Sequence, residues 1–84
     1  MKNKLLICLL VPDLDEEYYV YIPINKKIGN VVNLLSKAVN ELNDGIFSIN
    51  NKNGLYDTNT GEKYEIDVLV RETNIRNGSS VVLM

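Results

Sequence analysis

The sequence predicts an α+β fold, with one helix packed across a mixed sheet of four to five strands. Two observations carry this. The hydrophobic period changes from short continuous or alternating runs to a 3.6-residue repeat between Ile28 and Leu42, and then changes back. Aromatic and β-branched residues gather in short runs before that stretch and at the C-terminus, separated by turn-forming residues. The 84 residues are enough for one domain, spanning 1–84, and the composition is ordinarily globular at 45% hydrophobic and 24% charged.

Leu5 to Val11 is a short apolar run that suits a buried strand better than a helix. Pro12 and Asp13 end it, and a short acidic loop leads to Tyr18-Tyr19-Val20-Tyr21-Ile22. This second run has the composition of a strand, and the two should pair as a hairpin. Pro23, which lacks a backbone donor, closes it. Ile28, Val31, Val32, Leu35, Val39 and Leu42 then share one face of an amphipathic helix. Asn43-Asp44-Gly45 stops the helix, with Gly45 free to adopt a left-handed conformation.

Beyond the helix the elements are short. Ile46 to Ile49 is a strand candidate, Asn50 to Gly54 a polar turn, and Leu55-Tyr56 a small strand before the loop Asp57 to Gly61. Ile66 to Val70 is apolar without a decisive period. Asn77-Gly78-Ser79 makes a turn into a terminal strand, Val81 to Met84. A single helix laid across a mixed sheet buries both apolar faces with short connections.

Composition narrows the functional classes. The net charge is -2 and the densest charged stretch, Asp13 to Glu17, is acidic, so a nucleic-acid partner is not expected. With no histidine there is no Ser-His or Cys-His pair, and the single cysteine cannot build a thiolate metal site by itself. Cys8 lies in the first apolar run and reads as a small buried hydrophobe. No glycine-rich phosphate loop occurs, and Asp13, Asp15, Glu16 and Glu17 lack the spacing of a calcium loop. An enzyme is not expected, and no cofactor or metal is implied. Met1-Lys2-Asn3-Lys4 before Leu5 to Val11 imitates the start of a secretion signal, but Pro12 and the acidic run follow where a small-residue cleavage site should be. No apolar stretch is long enough to insert in a membrane.

The strand, turn and helix residues resemble a known family. Asn74-Ile75 followed by Arg76 to Met84 looks like the segment of ubiquitin that enters its last strand. Ile28-Gly29-Asn30-Val31 looks like the start of the ubiquitin helix, and a gapless overlay runs from Leu6 to Leu35. Val20-Tyr21-Ile22-Pro23 together with Asn74 to Met84 resembles more specifically the YukD/EsaB family of small ubiquitin-like proteins. The resemblance implies a β-grasp fold and a cytosolic accessory of the type VII secretion systems of Gram-positive bacteria. Its motifs are packing and turn motifs, which specify fold more than function. The alternatives are a small regulatory subunit of an unrelated multicomponent enzyme, and a modifier whose conjugation tail is missing. No Gly-Gly occurs and Met84 falls on the last strand of the overlay, so conjugation is not expected of a chain ending there.

Strand parity on that overlay gives a candidate protein-binding patch. Tyr18, Val20 and Ile22 point to the helix, as do Leu6, Cys8 and Leu10, and Val81 and Leu83 on the last strand. Alternation then sends Ile7, Leu9, Tyr19, Tyr21, Val82 and Met84 to the outer face. Such a patch would take another protein, a secretion-system component by the resemblance, or a second copy through the outer sheet face. A one-residue slip in the first strand would bury Ile7 and Leu9 instead.

Overall fold

The structure, a computed structural model, describes residues 3–50 and 52–84. The basic start at Met1 and Lys2, and Asn51 in the turn from Asn50 to Gly54, lie outside the described residues.

Strand β1 (Lys4–Val11) and strand β2 (Glu16–Pro23) form the antiparallel hairpin, helix α1 (Ile28–Leu42) follows, and β3 (Leu55–Asp57) and β4 (Ser80–Leu83) complete a four-stranded sheet in the order β2-β1-β4-β3. The two central strands, β1 and β4, run parallel, with Leu9 beside Val81. One helix on this mixed sheet is the β-grasp arrangement expected from the sequence.

Helix α1 occupies the span its periodicity predicts. Ile28, Val31, Val32, Leu35 and Val39 are buried against the sheet, each contributing roughly 1.5–3 kcal/mol. Leu42 departs from the expected stripe. It is 69% exposed and lies outside the buried stripe. Gly45 takes φ +83° and its N–H donates to the Asn40 carbonyl at 2.8 Å, closing the helix end as expected.

Lys27 offers no side-chain cap at the other end. The stretch from Ile66 to Val70 serves instead. It crosses the helix start as a turn at Ile66 and Asp67 followed by a bridge from Leu69 to Lys27, where Ile28 donates to the Val68 carbonyl at 2.8 Å and Gly29 to the Ile66 carbonyl at 3.0 Å. Glycine fits this crossing, since a Cβ at position 29 would meet Ile66 Cβ at 3.2 Å. The stretch ends in a 3₁₀ turn, Val70–Glu72, whose Val70 is fully buried.

Ile46 to Ile49 is not a strand. Only Phe47 enters the core, and its carbonyl accepts from Asn40 Nδ2, while Ile46 and Ile49 stay exposed. Among the described residues no strand pairs with this segment, so a single aromatic anchor replaces β pairing. The polar turn after it is present: Asn53 donates to the Asn50 carbonyl at 3.2 Å.

Candidate protein-interaction face

Four residues, Pro12 to Asp15, connect the hairpin strands. A 3₁₀ turn covers Pro12–Leu14, and Asp15 takes a left-handed φ of 52°. An even-numbered loop sets odd residues of β1 opposite even residues of β2: Leu5 with Ile22, Ile7 with Val20, Leu9 with Tyr18 and Val11 with Glu16. Directly opposed residues share a face. Tyr18, Val20 and Ile22 therefore turn toward the helix as expected, and they bring Leu5, Ile7, Leu9 and Val11 with them.

Two of the six expected patch residues are thereby corrected. Ile7 and Leu9 are 0% exposed and belong to the core. The loop shifts β1 by one position, and with a side-chain period of two that shift exchanges its faces. Leu6, Cys8 and Leu10 take the outer positions instead. Both sets of β1 residues are apolar, so hydropathy could not separate them. Counting the hairpin loop is the signal that could have.

The remaining four lie on the outer side. Tyr19 is 73% and Tyr21 57% exposed, Met84 is exposed and Val82 half-buried. Leu6 is the cross-strand partner of Tyr21, Cys8 of Tyr19, and Val82 lies between Leu10 and Tyr56. A band of aromatic and aliphatic side chains thus runs across all four strands. Cys8 is half-buried within it, with Sγ 3.9 Å from Glu17 Oε2. Exposed apolar side chains forgo the gain of burial, and contiguous ones mark interaction sites.

Other features are less suited to chemistry. A groove of about 740 Å³ beside the start of α1 is lined by Lys26, Lys27, Asn30, Asn33 and Ile66. The helix donors there are already taken by Val68 and Ile66, so it is no anion cradle. Next to β3, Tyr64 Oη donates to Asn74 Oδ1 at 2.7 Å and Asn74 Nδ2 to Asp57 Oδ2 at 3.0 Å. The Asn74 amide holds the Asp57 carboxyl below the usual carboxylate range, aided by the Asn59 backbone. Burial, and then the Asp57 charge, push the Tyr64 hydroxyl up. This clasp fixes the loop after β3. Among the described residues no group of three or more metal-ligating side chains comes together, and no helix is long and apolar enough to cross a membrane.

No protein-family model and no curated sequence matches the chain. Solved structures do match, over nearly all of it. The ubiquitin-like domain of EccD5 from Mycobacterium xenopi superposes with a TM-score of 0.78 at 16% identity, over 96% of this chain and 92% of that one. The fold is the ubiquitin-like β-grasp. The corresponding domain of the type VII secretion protein EccD1 from Mycobacterium tuberculosis superposes at 0.76 with 9% identity, over 95% of this chain and 96% of that one. A chain of a toluene 4-monooxygenase complex superposes at 0.72 with 8% identity, over 95% of each. The β-grasp thus occurs in proteins of very different employment.

Proposed function

We propose that this chain is a non-catalytic, cytoplasmic ubiquitin-like module that binds a protein component of a type VII secretion system. The finer assignment is to the small accessory proteins of the YukD/EsaB kind. The observation that carries the binding role is the apolar band of Leu6, Cys8, Tyr19, Tyr21, Val82 and Met84 on the face opposite the helix. The likeness to EccD ubiquitin-like domains supports the secretion setting. An interaction core of tyrosines and aliphatics, rimmed by charges such as Glu17, has the composition of a protein–protein interface.

The test is recovery of a tagged chain from detergent extracts of its native host, with identification of co-purifying proteins. Membrane components of the secretion machine should be retained by the wild type and lost with Tyr21→Asp. Recovery without any secretion component rejects the reading. A second reading, a regulatory subunit of a multicomponent enzyme, is favoured by the match to the toluene 4-monooxygenase complex. The same recovery would then yield the catalytic subunits of that enzyme.

A further inference from the structure

The sheet has two edges, β2 and β3, and they are treated differently. The three-residue β3 is covered by the following loop. Tyr64 donates to the Leu55 carbonyl at 2.9 Å, Asp57 to the Glu62 carbonyl at 2.9 Å, and Tyr56 bridges to Lys63. Among the described residues the eight-residue β2 has β1 as its only strand neighbour. Ile24 donates to the Asn3 carbonyl at 3.0 Å, so the even-numbered residues of β2 turn their backbone groups to β1. Alternation leaves the N–H and C=O groups of Glu17, Tyr19 and Tyr21, and the carbonyl of Pro23, aimed out of the sheet.

Natural edges are blunted by charge, proline or a bulge. Here such devices sit only at the two ends of the strand, and the ends carry opposite sign. Asp13, Asp15, Glu16 and Glu17 crowd the hairpin tip. Lys4 lies opposite Pro23 at the base, Lys26 and Lys27 follow, and Arg71 reaches Asn25 Oδ1 at 3.1 Å. Parallel pairing of two such edges sets acid against acid. Antiparallel pairing sets each acidic tip beside the other's basic base, twice over.

We infer that the β2 edge pairs antiparallel with β2 of a second copy of this chain, joining two sheets into one. Centred on Val20, the two-fold register places Tyr19 opposite Tyr21 of the second copy and Glu17 opposite its Pro23. About six new backbone hydrogen bonds form, and the missing proline donor falls at the margin. The outer faces then become one, with the tyrosines of both copies adjacent at its centre. On the other side, Asn43 Nδ2 donates to Tyr18 Oη at 2.8 Å, so the end of α1 lies over β2. This inference does not depend on the secretion reading.

The experiment is sedimentation equilibrium of the purified chain from about 1 µM to 1 mM, at low and high salt. The wild type should dimerise, and raising the salt should weaken the dimer by about tenfold or more. Tyr21→Pro removes an edge donor that β1 does not use and should give a monomer with an unchanged circular dichroism spectrum. Should that variant unfold, the exposed charges decide: Lys26→Glu with Lys27→Glu should dissociate the dimer, and adding Asp13→Lys with Glu16→Lys should restore it. A wild type that stays monomeric throughout overturns the inference. So does a dimer indifferent to salt and to these variants, or an edge occupied only by a foreign strand.

Discussion

Ser36 sits in the middle of α1, 1% exposed, and among the described residues no partner meets its hydroxyl. A buried hydroxyl without a partner costs about 1–3 kcal/mol, and serine is a weaker helix former than alanine. Ser36→Ala should therefore raise stability by about 1 kcal/mol, which for a domain of this size moves the thermal midpoint up by about 4–8 °C. Calorimetry reads this directly, and a lower midpoint would mean that the hydroxyl has a partner after all. The β1 register gives a paired prediction. Leu9→Ala empties a fully buried site and should cost about 2–5 kcal/mol. Leu6→Ala, at the half-exposed outer position, should cost less than about 1 kcal/mol. Urea unfolding of the two variants compares them, and equal losses would argue against the register.

At the scale of elements, the clasp of Asp57, Asn74 and Tyr64 ties the loop after β3 to the segment entering β4. Its pH dependence follows from both ends. The folded Asp57 titrates below its ordinary value, so its contribution is present above the usual carboxylate range and is lost as pH falls through the lowered value. The folded Tyr64 titrates above its ordinary value, so its contribution is complete below about pH 10 and is lost as pH rises through the raised value. Hydrogen exchange of the amides of Asp57, Gly61 and Tyr64 should show protection from about pH 5 to pH 9, once corrected for intrinsic rates, and a loss in acid as pH falls through the lowered Asp57 value. Asn74→Ala should reduce that protection across the range. Unchanged protection in that variant would remove the clasp as a structural device.

For the whole molecule, the core and the outer face should be separable. One cluster of buried residues from all four strands, the helix and Phe47 holds the fold. Tyr19 and Tyr21 lie outside it. The double change Tyr19→Ser with Tyr21→Ser should shift unfolding by about 1 kcal/mol or less, with an unaltered denaturant slope, while abolishing partner binding measured by calorimetric titration against the purified partner. A large loss of stability would make these tyrosines structural rather than functional.

The amino-acid sequence by itself determined the hairpin, the extent of α1, its glycine stop, the small strand before Asp57 and the strand at the C-terminus. These depend on local period and turn chemistry, which neighbouring residues carry in full. The resemblance to ubiquitin, rather than alternation alone, implied that Tyr18, Val20 and Ile22 turn to the helix and Tyr19 and Tyr21 away, and the burial agrees. What only the tertiary structure decided is how remote segments serve one another. Ile66 to Val70 has no period of its own because it exists to cap α1, and Ile46 to Ile49 forms no strand because the sheet offers it no neighbour. The faces of β1 belong here as well. Leu5, Ile7, Leu9 and Val11 and their neighbours Leu6, Cys8 and Leu10 are alike in hydropathy, and the parity of the loop from Pro12 to Asp15 chose between them. Where two faces are chemically equivalent, composition cannot break the symmetry, and the geometry of a turn does.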